Sequence, residues 1–246
     1  MISPSLDLGL DGTHVLVTEH FLAAKANVSS LDISYGTIAN AAPKTLPGLT
    51  PIHCDISSEE SVRDAFAEAT KSNGNVEVCI ALASLDASVL ESSPFVDTSL
   101  AQLKRVLDVN VAGTWITARE WLRGVRQAKS EGRILNNVNL ILVGSESGHF
   151  GARQKVDYSL GKSAARSCEN GFGAPCNAVA PGPVETSRWV QECKGNPDQY
   201  YLEAQATTAL CKPTPLEAVT KAILVLASSN FSSHIHGQII NVDGGK

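Results

Sequence analysis

The feature that most constrains this chain is the recurrence of short apolar runs, rich in β-branched residues, with helical patterns between them. The runs are Val15-Leu16-Val17, Val28 to Leu31, Pro51-Ile52-His53, Val78-Cys79-Ile80-Ala81, Leu140 to Val143, Asn177-Ala178-Val179-Ala180 and Ile239-Ile240-Asn241-Val242. Strands that alternate with helices form βαβ units, so a parallel sheet is expected. Among the intervening helices, Ser57-Ser58-Glu59-Glu60 reads as an N-terminal cap ahead of Val62, Ala65, Phe66 and Ala69 at helical spacing. Thr98 to Trp121 holds a long amphipathic stretch around Leu103, Val106 and Leu107, and Pro213-Thr214-Pro215-Leu216-Glu217 opens another through Val219, Ile223 and Leu226. No repeat, low-complexity tract or linker interrupts residues 1–246, which favours one domain. The Pro- and Ala-rich stretch from Gly36 to Gly48 is read as a surface crossover.

Composition narrows the function classes. With 43% hydrophobic and 18% charged residues the chain is expected to be globular, and 25 acidic against 20 basic residues leave no basic footprint for nucleic acid or an anionic membrane. The first residues lack a signal-peptide pattern and no apolar run is long enough to span a bilayer, so a soluble, cytoplasmic protein is expected. Six cysteines without a Cys-x-x-Cys pair read as reduced thiols, with Cys54, Cys79 and Cys176 in strand-like runs. His234-Ile235-His236 has no carboxylate or cysteine nearby to complete a metal site and reads as a turn before the last strand. In Gly144-Ser145-Glu146-Ser147-Gly148 the position of a hydrolase nucleophile is Glu146, so a serine hydrolase fails at its own signature.

The chemical signal lies around that segment. Tyr158 and Lys162 stand four residues apart in Asp157-Tyr158-Ser159-Leu160-Gly161-Lys162, with Ser145 thirteen residues upstream. Residues four apart share a helix face. The Lys162 ammonium is therefore expected to favour the ionised phenol of Tyr158 and lower its pKa, fitting it for proton exchange with an alcohol or carbonyl. Ser145, just past Leu140 to Val143, can hold the same substrate oxygen from the other side.

With these residues the sequence resembles the short-chain dehydrogenase/reductase family over nearly its whole length. Four further segments fit in family order: Cys54-Asp55-Ile56, Asp108-Val109-Asn110-Val111-Ala112-Gly113, Pro181-Gly182-Pro183-Val184-Glu185-Thr186, and Gly237 to Gly245. The resemblance implies an α/β fold, a single Rossmann-like, doubly wound parallel sheet with helices on both faces. It implies catalytic roles for Asn110, Ser145, Tyr158 and Lys162. Asn110 would anchor a water in the proton path, and Lys162 would also hold the nicotinamide ribose. Cofactor contacts fall on Asp32, Asp55, Ile56, Ala83, Tyr158, Lys162, Pro181, Gly182, Val184 and Thr186, with no metal. The cofactor is NAD or NADP. Asp32, at the end of the run from Val28, favours NAD because its carboxylate repels a 2′-phosphate, although an aspartate there also forms turns. The partner is a small-molecule alcohol or ketone, the assembly a homo-oligomer (dimer or tetramer), and Thr186 to Leu210, with Trp189, Tyr200 and Tyr201, lies where the family builds a lid.

One departure opposes this. The family joins its first strand to its first helix by a glycine-rich turn that admits the cofactor's pyrophosphate. Here no glycine occurs between Gly12 and Gly36, and only the nine residues Glu19 to Asn27 separate two strand-like runs. A parallel crossover ordinarily needs about 10–12 residues or more. The stretch from Tyr158 to Pro181 is also short of the family pattern, by about two helical turns near Ala165-Arg166-Ser167. Either a segment is missing at Thr18–Glu19, or the chain is continuous there and binds dinucleotide poorly. The leading expectation is an NAD(P)-dependent oxidoreductase acting on a secondary alcohol or ketone. The alternative is a non-enzymatic binding or scaffold protein of the same fold. A third possibility, proton transfer or cyclisation without cofactor, would keep Tyr158 and Ser145 but not need Lys162 for ribose binding.

Overall fold

The structure is a computed structural model and describes residues 7–8, 10, 12–16, 19–35, 46–152, 154–164, 173–186 and 199–246. Its strands are β1 (His14–Leu16), β2 (Asn27–Asp32), β3 (Leu49–His53), β4 (Val78–Ala81), β5 (Asn139–Val143), β6 (Cys176–Pro181), β7 (Val184–Glu185), β8 (Thr214–Pro215) and β9 (Ile239–Val242). Seven of them form one sheet in the order β3-β2-β1-β4-β5-β6-β9, with every pair parallel. The order reverses beside β1. In such a sheet the crevice for a ligand opens past the carboxyl ends of the strands on either side of that reversal.

Why the central strands sit there is visible in their side chains. All four residues of β4 are buried, as are the first four of β5, and all but Asn139 are apolar, as suits parallel strands covered on both faces; the Asn139 Nδ2 donates to Asn137 Oδ1 and to the Ala227 carbonyl. The period of two then divides them. Cys79, Leu140, Leu142 and Ala178 face Val62, Phe66, Trp121 and Val125, whereas Val78, Ile80, Ile141 and Val179 face Phe21, Ile223 and Leu226. The first face is covered by α2 (Glu59–Asn73) and α4 (Thr114–Ser130), the second by α1 (Glu19–Ala23) and the helix Leu216–Ala227. Ser58 caps α2, its side chain accepting from Ser61 N–H, with Glu59 and Glu60 in the first turn as the capping pattern predicts.

The amphipathic stretch around Leu103 is not one regular helix. It consists of α3 (Leu100–Val106), a π-helical turn over Leu107–Gly113, and α4. The wider turn places Asn110 in the interior at 6% exposure. It passes so close to Ile56 that a Cβ on Gly113 would lie 2.9 Å from the isoleucine side chain.

The short first crossover is a correction to the length argument. β1 and β2 pair in parallel, His14 opposite Asn27, and because β2 begins at Asn27 and β1 ends at Leu16, ten residues rather than nine separate them, the five-residue α1 among them. The proposed gap at Thr18–Glu19 involves Thr18, which lies outside the described residues, as do most of the Gly36 to Gly48 crossover, the short stretch at Ala165-Arg166-Ser167 and Trp189. Tyr200 and Tyr201 belong to the helix Gln199–Thr207. Among the described residues no helix is long and apolar enough to cross a membrane, and no group of three potential ligands could hold a metal ion. His236 spends its ring on the fold: Nδ1 accepts from the Cys176 N–H at 3.1 Å. Cys54, Cys79 and Cys176 are buried and form no disulfide.

Candidate active site

Ser145 follows β5 directly, ahead of the short helix α5 (Ser147–Phe150), and Tyr158 and Lys162 lie on α6 (Val156–Ser163). The three side chains line one cleft of about 440 Å³ with Pro181, Gly182, Val184 and Thr186. A second cleft of about 720 Å³ is lined by Asp32, Asp55, Ile56 and Ala83. Ser84, three residues past β4, lines both, so the two clefts adjoin across the carboxyl ends of the strands. All the residues expected to contact cofactor therefore lie along one crevice.

Lys162 is 8% exposed, and its Nζ donates to Ser84 Oγ at 2.9 Å and to the Val143 carbonyl at 3.2 Å. Burial lowers its pKa from 10.5 to about 8, with the Asp86 carboxylate partly opposing. Tyr158 behaves otherwise than its spacing from Lys162 predicts. Its pKa is raised, chiefly by burial; a hydrogen bond with Ser145 pulls it back, and the carboxylates of Asp86 and Glu146 push it further up. Drawn toward Ser84 and the end of β5, the Lys162 ammonium stands 5.9 Å from the centre of the Tyr158 ring.

Asn110 does not project freely into the crevice. Its Oδ1 accepts from the Leu85 N–H at 2.7 Å and its Nδ2 donates to the Leu85 carbonyl at 3.2 Å, so its amide fastens the segment after β4. Asp32 has a turn-forming role as well as a place in the crevice, since Oδ1 accepts from the Ser34 N–H at 2.8 Å. Asp55 likewise accepts from the backbone and side chain of Ser57.

Gly182 shows why its loop requires glycine. A Cβ there would stand 2.7 Å from the Asp243 Cα and 3.1 Å from Glu146 Oε2. The nearest obstacle is backbone and cannot swing away. Gly182→Ala is accordingly expected to destabilise the protein by about 1–3 kcal/mol, the usual cost of overpacking, read as a lower midpoint in urea without a change in slope.

Sequence reasoning missed four residues of this cleft: Ser84, Asp86, Glu146 and Lys246. Ser84 and Asp86 lie three and five residues past β4, and polar residues shortly after a buried strand were the signal for them. Glu146 drew attention only as a defect in a hydrolase motif. It is buried and bonds the Lys246 ammonium at 2.8 Å, across a hundred residues of sequence that no local pattern connects.

Comparison with known proteins bears on the family and the fold. Residues 16–246 match the family model described as "Enoyl-(Acyl carrier protein) reductase". The chain is 28% identical over 214 residues to a glucose 1-dehydrogenase of Gluconobacter oxydans, covering 82% of this chain and 74% of the relative. It is 28% identical over 215 residues to the 3-oxoacyl-[acyl-carrier-protein] reductase MabA of Mycobacterium bovis, covering 84% and 78%. The fold matches a glucose/ribitol dehydrogenase crystal structure from Brucella melitensis with a TM-score of 0.75 at 21% identity, over 96% of this chain and 97% of that one. The chain belongs to the short-chain dehydrogenase/reductase family.

Proposed function

We propose that the protein is an NAD(P)-dependent oxidoreductase that interconverts a secondary alcohol and a ketone of a small molecule. The observation that carries this reading is the convergence of Tyr158, Ser145 and Lys162 on one cleft that adjoins a second, larger one at the reversal of strand order. The larger cleft fits the adenosine half of a dinucleotide, with Asp32 toward the ribose and Asp55, Ile56 and Ala83 along the base. Lys162 and Thr186 would hold the nicotinamide end. When bound, the cofactor supplies or accepts the hydride. The chain's own residues handle the proton: Ser145 orients the substrate oxygen, and Tyr158 gives it a proton or takes one away. A phenol whose pKa is raised is protonated at neutral pH, the form suited to carbonyl reduction. Alcohol oxidation needs the phenolate, so its rate is expected to climb with pH on the alkaline side.

The test is a fluorescence titration with NADH and NADPH, followed by turnover of glucose with NAD and NADP and of acetoacetyl thioester with the reduced cofactors. Those substrates are chosen from the names of the relatives. The scaffold reading draws support from the lack of glycine between Gly12 and Gly36. Absence of dinucleotide binding together with absence of turnover would favour it over the oxidoreductase. Exposed Leu100, Trp115, Val156 and Leu160 on α3, α4 and α6 support a homo-oligomer, which light scattering measures directly.

For cofactor choice, Asp32→Ala is expected to narrow a preference for NADH over NADPH. A wild-type preference for NADPH of tenfold or more, about 1.4 kcal/mol, would contradict the role given to Asp32.

A further inference from the structure

The segment after β4 carries Ser84 and Asp86 into the reaction cleft, and beyond Asp86 it has no regular partner in the sheet. Side chains hold it instead. Asn110 clasps Leu85, and Lys155 Nζ donates to the carbonyls of Ala87, at 2.7 Å, and Leu90. Gln102 of α3 clasps Glu91 in both senses: Oε1 accepts the Glu91 N–H at 2.9 Å and Nε2 donates to the Glu91 carbonyl at 3.2 Å.

The third clasp continues further than the others. Gln102 Nε2 also donates to Asp157 Oδ2 at 2.8 Å, and Asp157 Oδ1 accepts the backbone N–H of Tyr158 at 2.8 Å. Asp157 is only 2% exposed, so water competes poorly for these bonds. The amide of Gln102 can sit only one way round. Turned over, its oxygen would face both the Glu91 carbonyl and the Asp157 carboxylate. We propose that Gln102 and Asp157 are positioning residues that bind the Tyr158 end of α6 to the segment carrying Ser84 and Asp86, so that both walls of the reaction cleft keep one geometry. This rests on Tyr158 being the acid/base group.

Asp157→Asn is isosteric and tests the polarity of the link alone. If the introduced amide still accepts from Tyr158 N–H, it turns its NH2 toward the NH2 of Gln102, donor against donor. The double variant Asp157→Asn/Gln102→Glu restores a donor–acceptor pair between the two side chains with the roles exchanged, while setting a carboxylate oxygen against the Glu91 carbonyl. In hydrogen exchange on the full chain without ligand, Asp157→Asn is expected to speed exchange at the Tyr158 amide and over residues 85–91 by about tenfold, and the double variant to return the Tyr158 amide to within about threefold of wild type. On whichever substrate the panel above identifies, kcat should fall about tenfold in Asp157→Asn with KM for the dinucleotide within about twofold, and recover in the double variant. Gln102→Leu provides a second single variant should Asp157→Asn fold poorly; it should speed exchange at Tyr158 as well as over residues 85–91. Wild-type exchange at the Tyr158 amide in both single variants, or a double variant no better than Asp157→Asn, overturns the proposal. Wild-type protein that binds neither dinucleotide and turns over nothing in the panel counts against the oxidoreductase reading instead, and the exchange measurement still decides the link.

Discussion

Tyr158→Phe is expected to lower turnover by about 10² to 10⁴-fold, the range that general acid–base catalysis contributes. The substitution removes one oxygen from a half-buried side chain whose hydroxyl bonds Ser145, and leaves the ring to pack as before. Thermal stability should therefore change little, and dinucleotide affinity should be kept, because Lys162 holds its place through Ser84 and Val143 rather than through the phenol. Side-by-side measurement of turnover, NADH binding and a melt separates the cases. Loss of turnover with binding and melt intact supports Tyr158 as the proton donor. Full activity would remove Tyr158 from the mechanism, and with it the reason for assigning Ser145 to the substrate oxygen.

The pH dependence of the two directions follows from the raised pKa of the phenol. Carbonyl reduction draws on the protonated form and should hold steady through neutral pH, whereas oxidation should gain as pH rises toward the phenol's own pKa. A Tyr158 tuned down by Lys162, as four-residue spacing suggests, would put that gain nearer neutrality.

That difference marks the limit of what was legible in the chain. The parallel sheet was legible because its central strands are short, largely apolar runs, as in Val78 to Ala81 and Leu140 to Val143, the composition that burial on both faces favours. The grouping of Ser145, Tyr158 and Lys162 was legible because a strand end and one helix face carry all three. What could not be read is where a flexible side chain comes to rest. Lys162 turns to Ser84 and the Val143 carbonyl, and Asn110 turns back to Leu85; both choices depend on atoms that only the folded sheet brings near. The π-helical turn was equally hidden, since its sequence Leu107 to Gly113 has an ordinary helical pattern. Nor could local pattern place Lys246 beside Glu146, or Gln102 beside Asp157.

Lys162→Met should weaken NADH binding by tenfold or more, about 1.4 kcal/mol, and depress turnover as well. The ammonium is the buried cation at the junction of the reaction cleft with the cofactor crevice, bonded to the Ser84 hydroxyl that lines both. Its lowered pKa gives the sign of a pH effect. In the free protein Lys162 is charged below about 8 and loses its proton above, so wild-type affinity for NADH should fall as pH rises through that value. The methionine variant, having no proton to lose there, should bind weakly with a flatter profile. Stability should move the other way. An unfolded lysine keeps its proton up to about 10.5, so between 8 and 10.5 the unfolded chain binds more protons than the folded one and stability from this group rises with pH. At neutral pH the buried charge is therefore a cost to the fold, offset in part by its two hydrogen bonds, and Lys162→Met is expected to melt no lower than wild type at pH 7. Any stability gained by the variant at pH 7 should shrink as pH rises through that window. A variant that melts well below wild type while keeping NADH affinity would make Lys162 a structural lysine and remove it from the nicotinamide end of the crevice.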